Sequence, residues 1–94
     1  MTEDIYATMA TKIVAEQSKI IGPIAYTQAG KVPGLVIDKD THAATVQGNG
    51  VQVVDELVRQ YKLFFGDIAV EVSKEAIGNI KFSLEADRLP NLLK

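Results

Sequence analysis

The sequence predicts a mainly α-helical fold with one small β-hairpin, in the α+β class, built from two helix-corner-helix units. Apolar residues recur at helical spacing in two long stretches of the 94-residue chain, and each stretch ends at a glycine that is followed by a shorter helical segment. A segment with strand and turn character separates the two units. We therefore expect a single domain over residues 1–94, with repeat-like halves at about 2–34 and 50–78 and a hairpin at 35–47 between them.

The first unit begins with an amphipathic helix that Thr2 caps. Its apolar stripe consists of Ile5, Met9, Ile13 and Ile20. Gly22 ends this helix, because glycine adopts the left-handed conformation without steric cost, and Pro23 suits the first position of a new helix. We expect that second helix to run to about Lys31, before Pro33 and Gly34 stop it.

The segment between the units predicts a hairpin that pairs residues 35–38 with residues 43–47. Asn49 and Gln52 then form a capping arrangement in front of the strongest apolar stripe of the chain. This stripe consists of Val53, Val54, Leu57, Val58, Tyr61, Phe64 and Phe65. It predicts a third helix that ends at Gly66.

The second unit repeats the first after a shift of 44 residues, which aligns residues 9–34 with residues 53–78 without a gap. The identical pairs are Val14/Val58, Gly22/Gly66, Ile24/Ile68, Ala25/Ala69 and Gly34/Gly78. Read as an internal repeat, this alignment predicts a fourth helix over residues 67–77. We expect residues 79–85 to be extended and residues 87–93 to form a final turn broken near Pro90.

An alternative fold follows from the apolar-polar alternation of residues 68–73 and 79–86, which is typical of strands. The element order would then be helix, two strands, helix, two strands and a short helix, which resembles roadblock-type platforms. That resemblance implies an α+β sandwich of helices on a sheet, and a dimer that regulates small GTPases.

A second resemblance rests on the stretch IIGPIA, residues 20–25, which follows an amphipathic helix. It is similar to a helix-corner-helix segment near the ends of some bacterial signalling proteins, such as Ser/Thr kinases and cyclases. The resemblance covers a minor part of the chain, includes no catalytic residue, and ends before residues 32–50, which depart from it. It implies a bacterial, intracellular, signalling-associated setting.

The composition excludes several classes of function. The chain is 47% apolar and 23% charged, as folded soluble domains are. Without cysteine it can form neither disulfides nor thiolate zinc sites, which suits the reducing cytoplasm, where we expect it to lie. Its N-terminus lacks a secretory pattern and no apolar run approaches the ~20 residues that span a bilayer, so we expect no membrane partner. A net charge of -2, with both signs interspersed, indicates no nucleic-acid partner.

The turn of the predicted hairpin holds the single histidine, His42, beside Asp38 and Asp40. These side chains are a weak set of metal ligands, and a solvated turn is the better interpretation. The same segment begins like a calcium loop, but Ala43 stands where glycine is needed and Asn49 where a bidentate glutamate belongs. We therefore predict no metal site.

Two further candidate sites concern anion binding and catalysis. The turn Gly48-Asn49-Gly50 lies between a strand and a helix, where backbone N–H groups can bind phosphate, although a turn with a helix cap is the better interpretation. The hydroxyls of Ser18, Ser73 and Ser83 lie in no nucleophile motif. We predict no catalytic residue and no cofactor; an enzyme would need a site assembled from scattered residues.

The aromatic residues Tyr61, Phe64 and Phe65 have two interpretations. Core packing at the end of the third helix is favoured, while the alternative is an exposed patch that binds a second subunit or a partner. Our leading hypothesis is a non-catalytic regulatory or protein-interaction module of bacterial signalling type, which forms a homodimer through part of its apolar helix surface. The alternatives are a small anion- or nucleotide-binding domain or enzyme accessory subunit, and the roadblock-like GTPase-regulating platform.

Overall fold

The protein is described by a computed structural model that covers residues 5–81 and 89–93. Its elements are α1 (Ile5–Ile21), α2 (Ile24–Ala29), β1 (Leu35–Ile37), β2 (Ala44–Val46), α3 (Gly50–Phe65), α4 (Asp67–Ala76), α5 (Gly78–Lys81) and a 3-10 helix (Asn91–Leu93). The prediction of a mainly helical fold with one small hairpin is confirmed. The predicted cap at Thr2 lies outside the described residues.

The first corner forms at Gly22, whose φ of 77° is in the region that favours glycine. Its N–H donates to the Ser18 carbonyl oxygen at 2.9 Å, and its own carbonyl oxygen accepts from Ala25 N–H at 3.0 Å. Pro23 stands before the first residue of α2, where a missing N–H costs no helical hydrogen bond. The chain therefore leaves α1 and enters α2 within two residues, as predicted.

The second corner, at Gly66, repeats this geometry. Gly66 has a φ of 76°, its N–H donates to the Lys62 carbonyl oxygen at 2.9 Å, and its carbonyl oxygen accepts from Ala69 N–H at 3.1 Å. Each of these residues stands 44 positions after its counterpart in the first corner. The correspondence stops at the following glycine pair, because Gly34 has a φ of 85° and precedes a strand, whereas Gly78 begins α5.

The hairpin is antiparallel, and its register pairs Leu35 with Val46 and Ile37 with Ala44. It lies on α1, where the Thr11 hydroxyl oxygen accepts from the N–H of Ala44 at 2.9 Å. The same hydroxyl donates to the Ala7 carbonyl oxygen at 2.8 Å. A two-stranded hairpin is marginal alone, and this helix supplies the surface that it needs.

The strand alternative for residues 68–73 is wrong, because these residues form the middle of α4. Within α4 the buried residues are Ala69 and Ser73, one helical turn apart, while Ile68 is 68% exposed. Burial thus follows a helical period, although the sequence alternates. The roadblock-like sandwich, which needs a strand here, is not the fold observed.

The segment after α4 also differs from its prediction. Residues 79–81 were expected to be extended, but they belong to the short helix α5. Residues 82–85, the rest of that predicted segment, lie outside the described residues, as do residues 87 and 88 of the predicted final turn. The described part of that turn is the 3-10 helix that follows Pro90.

One core joins the helices and the hairpin. Its fully buried side chains include Met9, Ala10, Ile13, Val14, Ala25, Ala29, Val54, Leu57, Val58, Tyr61, Ile77 and Leu93. Residues 44 positions apart are buried to the same extent in the two units: Val14 and Val58 are fully buried, Ala25 is fully buried, and Ala69 is 1% exposed. The small alanines allow the short helices α2 and α4 to pack closely on the long ones.

Candidate functional site

Two buried hydrogen bonds place both glycine corners at the same end of the molecule. Gln17, one turn before the end of α1, donates from Nε2 to the carbonyl oxygen of Ala69 at 2.9 Å. Tyr61, one turn before the end of α3, donates from its hydroxyl to the carbonyl oxygen of Ala25 at 2.7 Å. Each long helix therefore ends beside the start of the other unit's short helix. We call this end of the molecule the corner end.

These two bonds are reciprocal. Tyr61 stands 44 positions after Gln17, and Ala69 stands 44 positions after Ala25. A two-fold axis relates two units when residue i of the first contacts residue j of the second and the equivalent of i in the second contacts the equivalent of j in the first. The two helix-corner-helix units are therefore arranged about an approximate two-fold axis.

The opposite end of the axis lies where α1 and α3 begin. Gly50 packs so closely on Tyr6 that a Cβ atom added to this glycine would clash with the tyrosine ring. These two residues are also 44 positions apart. Since α3 has 16 residues and is thus ~24 Å long, the corner end and this contact lie at opposite ends of the helices.

Exposed apolar side chains concentrate at the corner end. They are Ile20 (62% exposed), Ile24 (45%), Leu63 (74%), Phe64 (57%) and Ile68 (68%), and we call this set the corner patch. Among the residues that the structure describes, the remaining exposed large apolar side chain is Val36, on β1. Large apolar groups left in water at one place mark an interaction surface more often than single ones do.

Both units contribute equivalent members to the corner patch. Ile20 corresponds to Phe64, and Ile24 corresponds to Ile68, at the shift of 44 residues. Exposure at these positions is therefore a property of the corner itself: the residues two positions before and two positions after each glycine project away from the core.

Charged side chains of both signs surround the patch. Lys19 pairs with Glu16 at 3.0 Å, and Lys62 lies 3.9 Å from Asp67, whose side chain is 93% exposed. The ammonium group of Lys31 lies 5.9 Å from the centroid of the Phe64 ring, within cation–π range. An apolar centre with a charged rim is the usual anatomy of a protein–protein interface.

The three aromatic residues singled out in the sequence differ in their burial. Tyr61 is fully buried, so its assignment to the core is confirmed, and Phe65 packs partly against that core. Phe64 is exposed, so its assignment to the core is wrong. Ile20, predicted in the apolar stripe of the first helix, is also exposed, and so is Ile68 of α4. Leu63 was not singled out at all, although its place in the last turn before a glycine corner is visible in the sequence.

The turn residues His42 and Asp38 take structural roles. The His42 ring stacks on Tyr26 of α2, with ring centroids 4.1 Å apart. Asp38 Oδ1 accepts hydrogen bonds from the N–H groups of Thr41 (2.9 Å) and Asp40 (2.8 Å), and these bonds hold the pKa of the Asp38 carboxyl below its usual value. Within the described residues, no group of three acidic, histidine or cysteine side chains is placed to hold a metal ion.

The Gly48-Asn49-Gly50 turn borders a surface groove of about 410 Å³. Asn49 caps α3 by accepting from Gln52 N–H at 3.1 Å, so this helix N-terminus already has a partner for one of its free N–H groups. Glu56 also lines the groove, and its carboxylate opposes an anion there. The geometry therefore favours the helix cap over a phosphate site.

The serine hydroxyls bond to their own helices. Ser18 donates to the Ala15 carbonyl oxygen at 2.7 Å, and the buried Ser73 donates to the Ala69 carbonyl oxygen at 2.8 Å while accepting from Gln17 Nε2 at 3.2 Å. Ser83 lies outside the described residues. Both described hydroxyls are thus engaged in hydrogen bonds, and only that of Ser73 lies between packed helices.

Among the described residues, no helix is both long enough and apolar enough to span a membrane. Comparison of the chain with protein-family models, with curated proteins and with solved structures finds no significant match.

Proposed function

We propose that this chain is a non-catalytic regulatory or protein-interaction module that binds a protein surface through the corner patch. The observation that carries the proposal is the concentration of five large, exposed apolar side chains at one end of a small domain. Desolvation of these groups on binding supplies the favourable free energy.

The rim of the patch favours a protein as the binding partner. Beside the apolar centre, Lys19 pairs with Glu16 and Lys62 lies near Asp67, so the rim carries both signs. A surface that binds anionic lipid carries a cluster of basic residues, whereas Lys19, Lys31 and Lys62 beside this patch are offset by Glu16 and Asp67 and the chain has a net charge of -2. A rim of mixed sign instead suits a partner with its own charges of both signs.

The setting that we propose is cytoplasmic and signalling-associated, as the absence of cysteine and the IIGPIA resemblance imply. The resemblance bears on the site, because Ile20 and Ile24 flank the glycine-proline pair of that stretch and both belong to the corner patch. Those residues of the stretch are thereby available to a partner.

Site-specific photocrosslinking tests the proposal. A photoreactive amino acid replaces Leu63, which is 74% exposed in the patch, or Val36, which is 53% exposed on the hairpin and serves as the matched control. The chain is then irradiated in an extract of its source cells and the products are identified by mass. We expect discrete protein adducts from position 63 and none from position 36. Absence of adducts at position 63, or the same adducts at both positions, would contradict the proposal.

A further inference from the structure

We infer that the partner of the corner patch is a second copy of this chain, with the Gly22 corner of each copy packed on the Gly66 corner of the other. This inference rests on the proposed function, since it names the partner of the same surface. Three observations support it: the symmetry of the corner end, the size of the patch and the charges of its rim.

The symmetry of the corner end allows either corner of one copy to meet either corner of a second copy. The approximate two-fold axis relates the Gly22 corner to the Gly66 corner, so the surface presents two similar apolar corners side by side. A second copy presents the same pair of corners. A two-fold axis between the copies, lying in the plane of contact, places each corner of one copy against a corner of the other, and every patch residue then contributes to the interface twice.

The size of the patch matches what a stable dimer needs. From their exposed fractions, the five side chains present on the order of 500 Å² of apolar surface, within the range of the largest functional patches on small monomers. A standard interface buries ~800 Å² on each partner, of which a little more than half is apolar. The corner patch supplies that apolar share, and the charged rim supplies the remainder.

The charges of the rim determine whether the Gly22 corner of one copy packs on the Gly22 corner or on the Gly66 corner of the other. The more exposed charge of the Gly22 corner is Lys19, whose side chain is 69% exposed against 43% for its partner Glu16, and that of the Gly66 corner is Asp67, 93% exposed against 44% for Lys62. Packing of like corners would oppose Lys19 to Lys19 and Asp67 to Asp67. Packing of unlike corners brings Lys19 of one copy towards Asp67 of the other, twice per dimer. The intramolecular pairs of both residues are exposed and therefore weak, so they do not prevent the exchange.

Sedimentation velocity of the purified full chain over a range of concentrations tests the dimer. We expect the wild type to dimerise with a Kd below roughly 1 mM, and Phe64→Glu to raise that Kd by about 100-fold or more, because the substitution buries an unpaired carboxylate in each half of the interface. Val36→Glu, the matched control on the hairpin, leaves the Kd unchanged. Far-UV circular dichroism checks that each variant keeps its helices, which we expect because both positions are exposed.

A charge-reversal cycle tests the pairing of unlike corners. Lys19→Glu and Asp67→Lys each oppose like charges twice in the dimer, so each raises the Kd by about 10-fold, and the double variant returns it to within about three-fold of wild type. Single variants that weaken the dimer without rescue in the double variant would overturn the unlike-corner packing.

The outcomes separate this inference from the proposed function. A wild-type chain that stays monomeric at roughly 1 mM, or a Val36→Glu variant that weakens association as much as Phe64→Glu, overturns the homodimer. If position 63 then crosslinks to a different protein, the proposed function stands and only the identity of the partner is wrong. If position 63 crosslinks to nothing, both fail. An adduct of twice the chain's mass from position 63 supports both.

Discussion

The hydroxyl of Tyr61 donates to the carbonyl oxygen of Ala25 at 2.7 Å, across 36 residues of sequence and entirely inside the core. Helix α2 is left with few intrahelical bonds because it has only six residues. This hydrogen bond ties the first turn of α2 to α3, and its counterpart from Gln17 ties α4 to α1.

Removal of this hydroxyl should destabilise the protein measurably. In Tyr61→Phe the ring still fills the core, but the buried Ala25 carbonyl oxygen loses its side-chain donor. We expect a loss of about 1 kcal/mol in the free energy of unfolding, measured by urea denaturation. An unchanged slope of that free energy against urea concentration shows that the folded state keeps its compactness. Equal or greater stability in the variant would contradict the role given to the bond.

Stability should also fall in alkali because of the same residue. Burial, with a smaller contribution from Tyr26, raises the pKa of Tyr61 well above its usual value. The folded state therefore retains the phenol proton, whereas the unfolded chain releases it from about pH 10. The unfolded state binds fewer protons there, so the free energy of unfolding decreases as the pH rises above about 10. Below that pH the contribution is fully present.

The Tyr61→Phe variant isolates this titration from that of other groups. Urea denaturation between pH 8 and 11 should show a smaller alkaline loss of stability in the variant than in the wild type, since the variant has no phenol at this position. Parallel pH profiles for the two proteins would show that Tyr61 does not carry the effect.

The corner glycines should tolerate alanine poorly for a purely conformational reason. A Cβ added at Gly22 or Gly66 meets no atom within 4 Å, so no steric clash with a neighbour arises. Both have a positive φ, and Gly66, with a ψ of -162°, lies in a region that is essentially restricted to glycine. We expect Gly66→Ala to cost about 1–3 kcal/mol of unfolding free energy and Gly22→Ala about 1–2 kcal/mol.

Gly78 provides the matched control for these substitutions. It is also surrounded by open space, but its φ is not positive, and it begins α5. Gly78→Ala should change the free energy of unfolding by less than about 0.5 kcal/mol. Thermal or urea denaturation of the three variants decides the point, and equal losses in all of them would remove the conformational explanation.

Asp55 should hold the 3-10 helix on α3. Its Oδ1 accepts from Leu92 N–H at 2.9 Å, and its Oδ2 accepts from Arg59 Nη2 at 3.0 Å, which together with the charge of Asp55 raises the pKa of Arg59. We expect Asp55→Ala to cost about 1.5–3 kcal/mol and to accelerate hydrogen exchange at the Leu92 amide. Glu56→Ala removes an exposed carboxylate that lies 3.9 Å from the same arginine, and it should lower the free energy of unfolding by less than about 1 kcal/mol. A Glu56 variant as unstable as the Asp55 variant would show that charge alone, and not the Leu92 bond, matters.

The Gly48-Asn49-Gly50 turn should not bind anions. Asn49 already satisfies the Gln52 N–H, and Glu56 repels negative charge from the adjoining groove. Titration with inorganic phosphate or ATP to roughly 10 mM should therefore leave the amide chemical shifts of Gly48, Gly50 and Val51 unchanged. A saturable shift confined to these amides would restore the nucleotide-binding alternative.

The sequence predicted the corners well because their signals are local. A glycine after an apolar helical stripe and a proline at the next helix start determine the chain reversal at Gly22 without reference to the rest of the fold. The repeat extended that inference to Gly66 and to helix α4, where alternation alone favoured a strand. In the structure, Ala69 and Ser73 are the buried residues of α4, and both accept hydrogen bonds from Gln17 of α1, which lies far away in the sequence.

Exposure in the corner patch could not be predicted in the same way. An apolar stripe indicates which face of a helix meets the core. Whether the last turn of that helix is also covered depends on how far the neighbouring helices extend in the folded protein. Ile20 and Phe64 continue the stripes of α1 and α3 beyond the core, and nothing local distinguishes them from buried members. The bond between Tyr61 and Ala25 likewise has no local signal, since its partners meet only in the folded chain.

The packing of each short helix against both long helices has a consequence for how the protein acquires its structure. Helices α2 and α4 each pack on the long helix of their own unit and also on that of the other unit, where Ala25 and Ala69 accept hydrogen bonds, so neither unit completes its own interior. During synthesis the N-terminal half must therefore wait for residues up to about Ser73 before its apolar face is covered. Folding should accordingly be a single cooperative event late in translation, and a ribosome-bound fragment that ends in the hairpin should remain susceptible to proteases.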